Sequence, residues 1–306
     1  SLLMYNICNG VFTALGDSKT PLYFLVVSSV GNVFLDIFMV TALNMGIAGL
    51  AWATFIAQTI AAVFAFLVLM KRIKAFKTEG KVEVFSTTLL KMLMTMAIPS
   101  ILQQSFVSVG NLFIQALVNS YGADVIAGYS AAIKLNTFVT VCITTLGSGV
   151  SNFTAQNYGA GKMDRVRGGF KAGVSLMAIV AIVITAVYMI FAAQLMGFFV
   201  DMTETRVVDV GVEFMRIVAP FYIVVGVKII SDGTLRGTGQ MFPFMVSTFT
   251  DLLLRVALSY ILVNFFDEVG IWLSWPVGWL LGALVSIIFY RVYVYSKKTG
   301  MDISKI

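Results

Sequence analysis

Asn32 and Asp36 stand four residues apart in GNVFLDIFMV (31–40), inside an almost unbroken run of Phe, Leu, Ile, Val and Met. Four residues make about one helical turn, so both side chains project from one helix face. Thr54 lies eight residues past Gly46, where the next apolar run begins, and antiparallel neighbours bring it to a similar depth. Three oxygen-bearing groups at one depth suit a hard cation such as Na⁺, or a proton held on the carboxylate. A carboxylate near the middle of a bilayer costs on the order of 2.5–3.5 kcal/mol on insertion scales, so it is expected to face a partner or a water-filled cavity. The competing reading is a structural cluster that pins two helices together. An ionisable residue at that depth favours function.

Other polar groups interrupt apolar runs. Gln104, Ser108, Asn111 and Gln115, spaced by four, three and four residues, form one polar stripe that is expected to face the bundle interior. Lys134 has no acid within a turn, so it is expected to point into water or toward a carboxylate on another helix. Lys228 with Asp232, and Asp251 with Arg255, are i, i+4 pairs that read as salt bridges, with Lys228 and Asp251 expected to line a cavity. The 16 Met and 25 Phe would give a promiscuous pocket adaptable walls, and suit a membrane core equally.

Several chemistries are excluded. The chain has no His, which removes Ser/His and Cys/His catalysis and imidazole metal sites. The acids in apolar segments are scattered, so no residue is assigned as catalytic and an intramembrane enzyme or receptor ranks last. Cys8 and Cys142 are isolated core residues with no CxxC spacing. YGAGKM (158–163) only superficially resembles a phosphate loop, because Gln156 replaces the first Gly and Met163 follows the Lys. No cofactor is expected beyond a coupling ion, and no metal beyond Na⁺ at Asn32, Asp36 and Thr54.

The elements that must hold these groups are membrane helices. The chain of 306 residues is 59% hydrophobic and 12% charged, against roughly 45–50% and 25% in soluble domains. Hydropathy gives eight full spans at about 21–43, 46–70, 92–118, 125–153, 169–200, 208–235, 241–265 and 269–293, with a stub at 1–15. Apolar runs this long, without strict alternation, argue for an all-α polytopic protein over a transmembrane barrel. The chain opens without Met inside a half-length apolar segment, from which an N-terminal truncation is expected.

Of the 21 Lys and Arg, sixteen fall in alternate connections or the tail, among them Lys71, Arg72, Lys162, Arg165, Arg236 and Lys297. The opposite connections hold Asp124, Asp201, Glu204, Asp209, Asp267 and Glu268, with Arg206 as their one cation. The positive-inside rule makes the first set and the C-terminus cytoplasmic, so the net charge of +6 is topological and nucleic acid is not expected as a partner.

Residues 71–91 are hydrophilic, able to form an amphipathic surface helix, and read as a cytoplasmic linker between 1–70 and 92–306. The ends of the two blocks resemble each other: ALGDSKTP (14–21) pairs with LRGTGQMFP (235–243), and GIAGLAWATFIAQ (46–58) with GIWLSWPVGWLLG (270–282). Both copies start on the cytoplasmic side, which makes them parallel repeats, as secondary transporters often have. Kinks are expected at Pro220, with Gly226 nearby, and at Pro276.

Taken together, TALGDSKTPL, GNVFLD, GIAGLAWAT, SNFTAQNYGAGKMDRV (151–166) and GTLRGTGQ closely resemble the multidrug and toxic compound extrusion (MATE) family of secondary transporters, over practically the whole chain. The resemblance implies a two-lobe helical bundle of about twelve helices when intact, 92–306 being the six-helix C-terminal lobe. It implies export of amphipathic, often cationic, organic compounds by antiport with H⁺ or Na⁺, from a multi-pass monomer in the plasma (inner) membrane. Asn32, Asp36 and Thr54 match a coupling site described for part of the family. Other members place acids in the helix corresponding to 92–118, where this sequence has none between Glu83 and Asp124. The nearest alternative is a flippase or exporter of lipid-linked oligosaccharides, which would need a more strongly cationic cavity built from Lys134, Lys228 and Arg255.

Overall fold

The computed structural model describes residues 1–75 and 85–296. These form ten α-helices: α1 (Leu2–Ala14), α2 (Lys19–Ile37), α3 (Gly46–Ile73), α4 (Thr87–Asn119), α5 (Ala123–Gly159), α6 (Met163–Met196), α7 (Thr205–Val218), α8 (Tyr222–Gly237), α9 (Met241–Phe266) and α10 (Val269–Tyr290). The fold is all-α. Counting α7 with α8 as one span, eight are long and apolar enough to cross a membrane, while α1 is shorter. A bilayer core offers no water to backbone N–H and C=O groups, so a spanning segment satisfies them within its own helix.

The chain divides into two compact units, Ser1–Ser86 and Thr87–Ile306. The expected 71–91 linker is shorter than its polarity suggested, because Lys71–Ile73 closes α3 and Thr87 opens α4. Its central residues 76–84, where the amphipathic helix was expected, and the tail from 297 lie outside the described residues.

In the first unit, α1 and α2 pack on α3. The reason is written in α3 at every fourth residue: Gly49, Ala53, Ala57, Ala61 and Ala65 are all buried. Side chains this small let helix backbones approach closely where apolar lipid supplies no hydrophobic drive for association. Asp17 then fixes the start of α2. Its Oδ1 accepts the backbone N–H groups of Lys19 and Thr20 at 3.1 Å, its Oδ2 accepts the Thr20 hydroxyl at 2.6 Å, and Arg72 bridges to it from the end of α3.

In the second unit, α9 and α10 form an antiparallel hairpin and α5 crosses α8 at glycines. A Cβ on Gly233 would sit 2.5 Å from the Gly147 carbonyl oxygen, so neither backbone has room to retreat. Gly233→Leu should therefore destabilise this unit by at least ~1–3 kcal/mol, read as a lower thermal midpoint in detergent. An unchanged midpoint would mean that the crossing is loose. Nearer the start of α5 lies an aromatic core in which Tyr129 stacks on Trp272 at 5.1 Å and Phe214 meets Trp272 and Trp275 edge-on.

The quoted turn motifs turn out to be helix stops. After α1, α5 and α8, Gly16, Gly161 and Gly239 adopt φ of 81°, 73° and 75°. The next residue's N–H then reaches back five residues: Asp17 to Phe12 O at 2.9 Å, Lys162 to Asn157 O at 2.8 Å and Gln240 to Leu235 O at 2.8 Å. That closure needs the left-handed conformation glycine adopts freely. YGAGKM is thus a C-cap.

Pro220 does break its helix, and a 3₁₀ turn at Ala219–Phe221 separates α7 from α8. Thr185 donates its hydroxyl to the Ala219 carbonyl at 2.7 Å, satisfying a group at the bend. At Pro276, α10 (Val269–Tyr290) continues as one helix through the proline. Trp272, Trp275 and Trp279 are all buried along that stretch. The backbone instead leaves helical geometry at Phe191 (φ −110°, ψ 18°) within α6, where no proline announces it.

Candidate functional site

Asn32 and Asp36 lie on α2, and Thr54 comes level with Asn32 from α3. Asn32 Nδ2 donates to Thr54 Oγ1 at 3.5 Å, at the long limit for such a bond. Asn32 is half-buried and Thr54 exposed, and both line a small cavity of about 170 Å³ with Ser28, Ser29 and Gln58. Asp36 lies one turn further along α2. It is half-buried, and its Oδ1 is shielded from solvent without a hydrogen-bond partner. Directly after it, at Phe38–Ala42, the helix widens into a π turn. Such turns loosen the hydrogen-bond ladder and often sit at functional sites. The geometry brings Asn32 to Thr54 and leaves Asp36 Oδ1 shielded and unpartnered one turn away, with Asp36 outside the residues that line the cavity.

In the second unit a cavity of about 380 Å³ opens between α4, α5, α8, α9 and α10. Its polar side carries Asn111, Gln115, Lys228, Asp251 and Arg255, and its aromatic side Tyr129, Tyr222, Trp275 and Trp279. The stripe on α4 thus reaches this cavity only with its C-terminal half. Gln104 and Ser108 are exposed and do not line it, because α4 packs within the unit through the neighbouring face of Gly110, Ile114 and Val118.

Lys134 does not line this cavity. It is exposed, pairs with no carboxylate among the described residues, and holds its ammonium 5.6 Å from the Phe199 ring. A long side chain at the helix flank can lay its stem on apolar surface and its charge near an aromatic face.

The charged pairs resolve unequally. Lys228 Nζ lies 2.7 Å from Asp232 Oδ2, and both residues are buried, at 4% and 5% exposure. Asp232 Oδ1 further accepts hydroxyls from Ser247 at 2.9 Å and Ser286 at 2.5 Å. The expected Asp251–Arg255 pair is not made. Asp251 Oδ2 turns instead toward Lys228 at 3.8 Å, while Arg255 lays its guanidinium 4.6 Å from the Trp275 ring centroid. Helical spacing makes two residues neighbours but does not rank them against a third helix. Gly278 and Gly282 give these groups their space: a Cβ on Gly278 would lie 2.9 Å from Asp251 Oδ1, and one on Gly282 2.8 Å from Lys228 Cε. The supporting Ser247 and Ser286 went unread, although Ser247, Asp251, Arg255 and Ser259 repeat every four residues on α9.

Comparison with known proteins now decides the family. The family model described as MatE matches residues 99–261, more than half of the chain. The chain belongs to the MatE family. A second family model, described as Lipid II flippase MurJ, matches residues 1–121.

Among curated proteins, the probable multidrug resistance protein YpnP of Bacillus subtilis is 28% identical over 292 residues, covering 95% of this chain and 64% of that protein. The probable multidrug resistance protein YoeA of the same organism is 27% identical over 294 residues, covering 92% and 63%. This MatE chain therefore spans a little under two thirds of their length. Among solved structures, an outward-facing multidrug resistance MATE family transporter of the MOP superfamily superposes with a TM-score of 0.85 at 20% identity, covering 95% of this chain and 66% of that one. A MOP superfamily transporter from Pyrococcus furiosus, for which a reversed polarity of the binding pocket suggests a different function, gives 0.86 at 20% identity, covering 95% and 66%. These likenesses establish the MATE transporter fold and a multi-pass membrane protein. MATE proteins are transporters, not enzymes.

Proposed function

We propose that the chain belongs to a secondary active exporter of amphipathic organic compounds, driven by H⁺ or Na⁺ returning through the site at Asn32, Asp36 and Thr54. The observation that carries this reading is the shielded, unpartnered Asp36 oxygen beside the Asn32–Thr54 contact in a membrane helix. A carboxylate kept there at a cost, without a fixed partner, is free to take an ion. Ion binding then favours one conformation over the other and lowers affinity for cargo, which is what antiport requires. The cargo cavity of the second unit holds Asn111, Gln115, Lys228 and Asp251 on its wall. The basic connections and C-terminus face the cytoplasm of a plasma (inner) membrane protein that works as a monomer.

Proteoliposomes holding the purified protein and a fluorescent organic dye test this reading directly. An inward H⁺ or Na⁺ gradient should drive dye out, and collapsing that gradient with the matching ionophore should stop it. Movement indifferent to both gradients would remove antiport.

A second reading, a flippase for lipid-linked anionic sugars, draws on the MurJ match over residues 1–121 and on the basic groups Lys228 and Arg255. Flipping of a fluorescent lipid pyrophosphate without dye export would favour it.

A further inference from the structure

Arg255 is buried, at 7% exposure, yet its side chain makes no hydrogen bond or ion pair among the described residues, and its Nε is shielded without a partner. Its companion is the Trp275 ring at 4.6 Å. The cations and acids around it are unevenly matched. Lys228 has two carboxylates within 4 Å, Asp232 at 2.7 Å and Asp251 at 3.8 Å, and Asp232 is further held by Ser247 and Ser286. That triad carries one positive and two negative charges, and Asp251 Oδ1, like Arg255 Nε, is shielded without a hydrogen-bond partner, so Arg255 balances the net charge without an ion pair to any of the three. Burying a guanidinium without an anion is expensive, and it is normally retained only where an acidic group meets it.

The anion can come from the cavity. Arg255 lines the space of about 380 Å³, and Trp275, Trp279, Tyr129 and Tyr222 make its aromatic wall. A second donor, Trp275 Nε1, is buried beside it and also unpartnered. A guanidinium and an indole N–H match a carboxylate or phosphate, the guanidinium in bidentate fashion. The volume falls in the range that holds a small organic molecule.

We propose that this cavity binds the acidic headgroup of an aromatic organic anion at Arg255, with the ring system against Trp275 and Trp279. The site rests on the export reading only in supplying its cargo class, and it departs from the cationic cargo that the family resemblance implies. Asp251, four residues before Arg255, competes with the ligand: when the cavity is empty, a rotation of either side chain can pair the two.

Isothermal titration of the protein in lipid nanodiscs, with no ion gradient, tests the site apart from transport. 2-Naphthoate, 2-naphthyl phosphate and the isosteric 2-naphthylmethylammonium are titrated in parallel. At least one acid should bind ~10-fold or more tighter than the ammonium, and the tighter acid identifies the headgroup as carboxylate or phosphate. Arg255→Gln should lose that preference and leave ammonium binding unchanged. Arg255→Lys should recover part of it, and Asp251→Asn should tighten acid binding by removing the competitor. Ammonium binding as tight as either acid, or acid binding untouched in Arg255→Gln, overturns the proposal. If Arg255→Gln does not fold, the wild-type preference together with Asp251→Asn still decides. An acid that binds but is never moved by imposed gradients would leave the site standing and remove the export reading.

Discussion

Asp36→Asn is expected to reduce ion-driven efflux of a fluorescent organic compound at least ~10-fold while folded protein persists in the membrane. Antiport requires that the ion bind one conformation better than another, and the size of the effect equals the differential binding free energy, typically 1–3 kcal/mol. Asn keeps the shape of Asp but neither ionises nor takes up a proton at neutral pH, so it removes that difference. The same change spares the helix a charge that is costly at membrane depth, so the thermal midpoint should hold or rise. Loss of efflux without loss of stability separates coupling from a structural role. If Asn32, Asp36 and Thr54 merely pinned α2 to α3, the midpoint would fall and efflux would fall only in proportion to abundance. Asp36→Glu, which retains the carboxylate one methylene further out, should keep a measurable fraction of coupling. Transport rates normalised to membrane-inserted protein, with the gradient applied and withheld, give the comparison.

The second large effect concerns stability. Lys228→Met should destabilise the second unit by about 3–5 kcal/mol, because it strands Asp232 as a buried carboxylate without the cation it is bonded to. The loss should register as a drop in thermal midpoint in detergent. Adding Asp232→Asn to Lys228→Met should return much of it, since the stranded charge then disappears. Neighbouring residues of one network are expected to be non-additive in this way. By contrast, Arg206→Ala should cost no more than ~1 kcal/mol, because the Arg206–Glu268 bridge is water-accessible on its arginine side. Equal losses for Lys228→Met and Arg206→Ala would mean that the buried triad is solvated in the membrane.

What could be read from the chain beforehand follows the physics of each feature. Spans were legible because a bilayer leaves the backbone one economical solution, and hydropathy reports how much of a helix the lipid covers. The same measure misplaced ends, since α5 runs on to Gly159 and α6 starts at Met163 through polar residues that lie beyond the apolar run. Asn32 and Thr54 could be placed together from depth alone. The pairing of Asp251 could not, because i, i+4 spacing names Arg255 as a neighbour while Lys228 on α8 competes for it from another helix. Lys134, Gln104 and Ser108 are exposed and lie outside the cavity for a related reason: polarity says that a residue needs a polar environment, but not which surface supplies it. The bare guanidinium of Arg255 emerged only once its assumed partner had turned away.

Whether ion occupancy at Asp36 weakens cargo binding is open to one equilibrium measurement. The affinity of a fluorescent organic ligand for the protein in nanodiscs is determined with the coupling ion absent and saturating, in wild type and in Asp36→Asn. The expected result is a ~5–150-fold weakening by the ion in wild type and none in Asp36→Asn. The same ion response in both proteins, or no response in wild type, would contradict the assignment of Asp36 as the coupling carboxylate.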